Sequence, residues 1–133
     1  MKTLLLLLTL CLSASAQSSM ERRLDALAMV ETGCNDHATG RAGEVSRYQI
    51  TPSVWRQYSR LPLSAATNPF TARQIVVNIM SNRLHGRIVT DEGWYLTYHR
   101  PSRWNHPKPA ERDRADRFAR LCRKTALDNA LAK

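Results

Sequence analysis

The stretch Met20-Glu21-Arg22-Arg23-Leu24-Asp25-Ala26-Leu27-Ala28-Met29-Val30-Glu31 decides how this chain is read. Met20, Leu24 and Leu27 recur at the alternating spacings of one helix face, and Glu31 takes the next place in that series. The pattern predicts a helix over about residues 20–31, capped by Ser18-Ser19, with a carboxyl continuing its apolar stripe. A carboxyl drawn into a core loses hydration, which disfavours its charged form. An acid that holds its proton near neutrality and then releases it can serve as a general acid. A frayed last turn with Glu31 in solvent accounts for the same residues. The sequence C-terminal to Glu31 favours the acid.

Before this helix, Met1-Lys2 supplies a positive start, Leu4 to Leu12 is an apolar run, and Ala14-Ser15-Ala16 is a small-residue cleavage site. Residues 1–16 therefore read as a secretory signal peptide. The apolar run is too short to anchor a chain across a bilayer. Leu10 precedes Cys11 where a lipid-attachment site would carry a small residue. The expectation is an exported protein, periplasmic or extracellular, with no stable membrane insertion after cleavage. The remainder of the 133 residues suffices for one domain with a modest core.

Twenty basic residues against 11 acidic ones give a formal charge of +9, of which cleavage removes only Lys2. Such a balance suits a polyanionic partner. Export opposes nucleic acid, so anionic envelope polymers are the expected partners, whereas for the C-terminal third a solvated basic surface is the plainer and preferred reading. Cys34 and Cys122 survive cleavage. An even count in an exported protein permits a disulfide between them, and two free thiols fit the sequence equally well.

The rest of the chain reads as helical. Gly33 to Ser46 is a loop rich in Gly, Asn and Asp, with room for a short turn of strand. Thr51-Pro52 opens a helix over about 53–59 by a capping hydroxyl and a proline in the first turn. Asn68-Pro69 repeats that start, and Ala72, Ile75, Val76 and Ile79 carry the helix toward Gly86. Thr90-Asp91-Glu92 caps a helix through Tyr98, ended by Arg100-Pro101. Pro107 and Pro109 precede a long basic helix with the stripe Ala115, Phe118, Cys122. The predicted fold class is all-α or predominantly α.

From Glu31 the chain reads Glu31-Thr32-Gly33-Cys34-Asn35, then Ala42-Gly43, then Ser46-Arg47-Tyr48-Gln49-Ile50-Thr51-Pro52. This resembles the lytic transglycosylases of the goose-lysozyme-like group, the soluble lytic transglycosylase domain family. Their pattern is a glutamate followed by serine, an asparagine, a glycine, then Gly-Leu-Met-Gln-Ile ending near a proline. The 18-residue step from Glu31 to Gln49 is similar to theirs, and Asn35, Gly43, Ile50 and Pro52 fall into register. Asn68-Pro69 and its helix resemble the family's Asn-Pro helix, and Trp94-Tyr95-Leu96-Thr97-Tyr98-His99 resembles its third motif. The resemblance covers about residues 24–104. Thr32 stands in place of serine, Ser46-Arg47-Tyr48 in place of Gly-Leu-Met, and His99 in place of asparagine.

The resemblance implies a lysozyme-like domain over 17–106, with 107–133 forming a basic helix packed on it. It implies an enzyme that cleaves the β-1,4 bond between N-acetylmuramic acid and N-acetylglucosamine in peptidoglycan glycan strands, without a cofactor. Glu31 would protonate the glycosidic oxygen and then take the proton of the muramoyl 6-hydroxyl, leaving a 1,6-anhydro end. Gln49 would hydrogen-bond the sugar, and Tyr98 would place its hydroxyl against Glu31. Tyr48 and His99 would form the groove wall beside Thr32. Each has a plainer reading: a satisfied polar group for Gln49, a core aromatic for Tyr98, an exposed helix end for His99. Trp55 and Trp94 read as packing. His37, His85, His99 and His106 show no metal-ligand spacing. Asp36, Asp91 and Glu92 are the acids weighed as partners for Glu31, and capping or loop roles explain them better. A hydrolytic muramidase and a non-catalytic wall-binding protein of the same fold are the alternatives.

Overall fold

The computed structural model describes residues 19–131. The signal-peptide reading of 1–16 lies outside them. Among the described residues the chain is mostly helical: α1 (19–32), α2 (Pro52–Tyr58), α3 (Pro69–Leu84), α4 (Asp91–His99) and α5 (Pro109–Leu131), with a 3-10 turn at Leu63–Thr67. The predominantly α fold class expected from sequence is the one observed. The 3-10 turn is an addition, and it buries Ala66.

The helix starts follow from side-chain caps. Thr51 accepts from Val54 N–H, Asn68 from Thr71 N–H and Thr90 from Gly93 N–H, and proline occupies the first turn of α2 and α3. At the end of α3, His85 turns left-handed and Gly86 follows with φ +76°. The end of α1 is closed by Gly33, φ +62°, whose N–H donates to Met29 C=O at 3.1 Å, while Cys34 N–H reaches Ala28 C=O at 3.0 Å. That closure leaves Glu31 in the last turn of α1.

The short α4 is the centre of the core: Gly93 through Tyr98 are all buried. A nine-residue helix hidden on every side takes its stability from the elements around it rather than from propensity. α1 covers it with Leu24, Leu27 and Ala28, α3 with Ile75, Val76 and Ile79, and α5 with Ala115, Phe118 and Cys122. Arg23 ties α1 to the start of α4, its Nε donating to Asp91 at 2.7 Å and a terminal nitrogen to Val89 C=O at 3.1 Å. Phe118 stacks on Trp94 with centroids 5.6 Å apart and rings 3° from parallel, and touches Tyr95 at 5.1 Å. α5 is thus packed on the domain through its apolar stripe.

Among the described residues, Cys34 and Cys122 are both free. Cys34 is exposed just past α1, whereas Cys122 is buried under α5, so the disulfide that an even count permitted is not formed. Burial pushes the Cys122 thiol up to about 12, which keeps it un-ionised at neutral pH. In the chain cleaved after Ala16, a thiol-specific disulfide reagent is expected to titrate one cysteine in the native state and two in denaturant. Native protein showing none would indicate a bond and a different docking of α5.

Candidate active site

Residues 33–51 fold back beside α1 as a loop with two isolated antiparallel bridges, Thr39 with Val45 and Val45 with Ile50. Val45 and Ile50 exchange both backbone hydrogen bonds at 2.9 Å, which pinches Ser46 to Gln49 into a tight turn. Ser46 at φ +71° and Gln49 at φ +52° are left-handed non-glycine residues within that turn. Such conformations cost about 1–2 kcal/mol each and persist only where the surroundings hold them. Here Arg47 is anchored to Asp36 by two hydrogen bonds of 2.6 and 2.8 Å, and Tyr48 is driven into the core at 1% exposure. The Arg47 guanidinium in turn holds the Asp36 carboxyl below its usual range.

The turn faces a cleft of about 340 Å³ whose walls include Glu31, Glu44, Gln49, Arg83, Tyr98 and His99. Glu31 is the focus. Its side chain is 14% exposed, and two groups from α4 converge on its Oε1. The Tyr95 hydroxyl donates at 3.0 Å, and His99 Nε2 lies 2.9 Å away, donating when Glu31 is ionised. Among the described residues no protein group donates to Oε2. One carboxyl oxygen is therefore oriented by the protein, and the other is left without a protein donor.

Tyr95 and His99 sit four apart on α4, so their side chains lie on one helix face and their rings touch at 4.5 Å. Burial, then the charge of Glu31, push the Tyr95 hydroxyl well above its ordinary range, with Arg114 and Arg117 opposing. The phenol remains a donor at any pH the protein meets.

Three expected roles are corrected. Tyr98 does not place its hydroxyl against Glu31: it donates to Tyr48 C=O at 2.8 Å, although the ring borders the cleft. Tyr95, three positions earlier and nearly a full turn away, takes that role. Tyr48 is not a groove wall, because its ring is buried and desolvation pushes its hydroxyl up to about 12. Thr32 does not face the cleft either. Its hydroxyl donates to Arg47 C=O at 3.1 Å and accepts from Asn35 N–H at 3.0 Å, clipping the loop to the end of α1.

Gln49 borders the cleft, with its amide nitrogen donating to Ser46 C=O at 3.1 Å. His99 is drawn in against Glu31 rather than left in solvent. Trp55 and Trp94 are core residues, and Trp104 lies under the Arg87 guanidinium 5.2 Å from its ring centre. Asp36 is occupied by Arg47 and Asp91 by Arg23, and Glu92 faces Arg123 at 3.6 Å. Among the described residues no three His, Cys, Asp or Glu side chains gather closely enough for a metal ion.

Sequence reasoning missed Glu44. Its carboxylate accepts from Ala42 N–H at 2.9 Å and lines the same cleft as Glu31. A Cβ at residue 40 would stand 2.2 Å from Glu44 Oε2 and 2.7 Å from Gln49 Oε1, so the glycine there makes room for both heads. The available signal was the sequence Gly40-Arg41-Ala42-Gly43-Glu44, an acid directly after a tight turn. No protein-family model, no curated protein and no solved structure matches the chain.

Proposed function

We propose that this protein is a peptidoglycan lytic transglycosylase that cleaves the bond between N-acetylmuramic acid and N-acetylglucosamine with Glu31 as acid and then base. The observation that carries the reading is the state of Glu31: mostly buried in a cleft wall, with Oε1 gripped by Tyr95 and His99 and Oε2 free. Oε2 delivers its proton to the glycosidic oxygen as the C1–O bond breaks. The resulting carboxylate takes the proton of the muramoyl 6-hydroxyl as that oxygen closes on C1. The proton count returns to its start, and no water enters. Tyr95 and His99 stabilise the carboxylate formed midway, when it carries full charge.

The left-handed backbone at Ser46 supports the same reading, because the resembled pattern has glycine there, the residue that adopts this conformation most readily. Gln49, fixed by the same turn, is proposed to hydrogen-bond the sugar. The Tyr95→Phe variant is expected to lower cleavage about 10- to 100-fold, the worth of one hydrogen bond to a charged group. Tyr98→Phe is expected instead to lower stability by about 1–3 kcal/mol, by leaving a buried carbonyl unpaired. Comparing initial rates and denaturant midpoints of the two variants checks the assignment, and a reversed pattern would restore Tyr98 as the partner of Glu31.

Glu44 favours a second reading, hydrolysis, in which it activates water as the partner acid. Mass spectrometry of products released from purified sacculi separates the readings. Anhydro-muramoyl ends are the expected result. Reducing ends would replace the primary proposal by hydrolysis with Glu44 as base, and tight binding with no release would make the chain a wall-binding module.

A further inference from the structure

A second cavity of about 280 Å³ is walled by Val30, Glu31, Tyr95, Arg114 and Arg117. The two arginines are spaced one helical turn apart on α5, so their guanidinium groups project from the same face. Both are exposed, and among the described residues neither forms an ion pair. The acid in the first turn of α5, Glu111, is spent on Arg100 at 2.8 Å and Arg103 at 2.6 Å. Glu31 and Arg114 also border the main cleft, so the two spaces share part of their walls. Two uncommitted guanidinium forks beside an acid in a glycan cleft call for an anion that the substrate itself brings there.

Peptidoglycan supplies one. The muramic acid whose bond is cut carries a peptide on its lactyl group, and that peptide bears free carboxylates from its second residue onward. We infer that the Arg114–Arg117 cavity binds the carboxylates of this peptide branch while the glycan occupies the main cleft, so that peptide-bearing strands are the preferred substrate. The inference rests on the proposed glycan cleavage and names a feature of the substrate which that proposal leaves open. The apolar part of the cavity, Val30 and the Tyr95 ring, suits the short apolar side chain that begins such a peptide.

The test compares kcat/KM on soluble glycan strands carrying their peptides, on strands stripped by an amidase and then amidated at the lactyl carboxylate that this cleavage exposes, and on peptide-bearing strands whose carboxylates have been converted to amides. Peptide-bearing strands are expected to be cleaved about tenfold faster than either of the others, the worth of one charge-assisted contact. In Arg114→Ala/Arg117→Ala this ratio is expected to fall toward one, while in Arg120→Ala, one turn further along α5 and outside both cavities, it is expected to persist. Circular dichroism confirms that the surface variants fold. Equal rates on all three strands, or a ratio that survives the double substitution, would overturn the inference and leave the cleavage proposal standing. If wild type cleaves nothing, the cleavage proposal fails and calorimetric binding decides: tighter binding of peptide-bearing strands, lost in the double variant, retains the arginine site, and equal binding removes it.

Discussion

Glu31→Gln is expected to lower the release of muropeptides from sacculi by roughly a thousandfold, the range of a lost general acid. Glutamine keeps the length and planar shape of the side chain, and its carbonyl oxygen still accepts from Tyr95 and His99. The fold should be intact, with an unfolding midpoint within a degree or two of wild type. What the variant loses is the proton on Oε2 and the capacity of that oxygen to take one back. Residual activity within tenfold of wild type would remove Glu31 from the chemistry. Running Glu44→Gln alongside sharpens the result. Under transglycosylation that change disturbs a cleft wall and costs far less than the change at 31, whereas under hydrolysis the two losses are comparable.

Phe118→Ala is expected to produce the largest loss of stability, about 3–5 kcal/mol, from the cavity left by a fully buried aromatic ring. For a domain of this size that corresponds to a fall in Tm of roughly 10–20 °C. The ring is stacked on Trp94 and rests against Tyr95. The substitution therefore also removes the support behind the residue that orients Glu31, and cleavage should decline well below the new Tm. Differential scanning calorimetry with rate measurements at low temperature follows both effects. A Tm shift under about 2 °C would mean that α5 is an appendage rather than part of the core.

The helices were legible because their signals are local. Thr51-Pro52, Asn68-Pro69 and Thr90-Asp91 each name a cap and a first turn within a few residues, and the observed starts of α2, α3 and α4 match them directly. The 3-10 turn at Leu63–Thr67 was not legible, since its five residues show no period and Ala66 is buried by its neighbours. The buried stripe of α1 was readable for the same reason as the caps, and it picked out Glu31 before any partner was known. Tyr48 and Tyr98 were misplaced for the converse reason. A phenol looks the same on a groove wall and in a core, and only the direction of its helix face or turn separates the two.

Composition, caps and the period of apolar residues determined by themselves a mainly helical chain with one acid on an inner stripe, because those interactions join residues within two turns of each other. Which groups meet that acid was decided by tertiary packing alone. Glu31 and its partners Tyr95 and His99 lie 64 and 68 residues apart, and Tyr98 meets the Tyr48 carbonyl across 50. Those contacts depend on the rotation of α4 within its sheath of helices. At about 100° per residue, the step from Tyr95 to Tyr98 leaves the two side chains roughly 60° apart around that helix. That offset sends one hydroxyl to the carboxyl and the other into the core. Glu44 and the arginines of α5 join the cleft by the same route: their position is a consequence of how the loop folds over α1 and where Phe118 seats its helix.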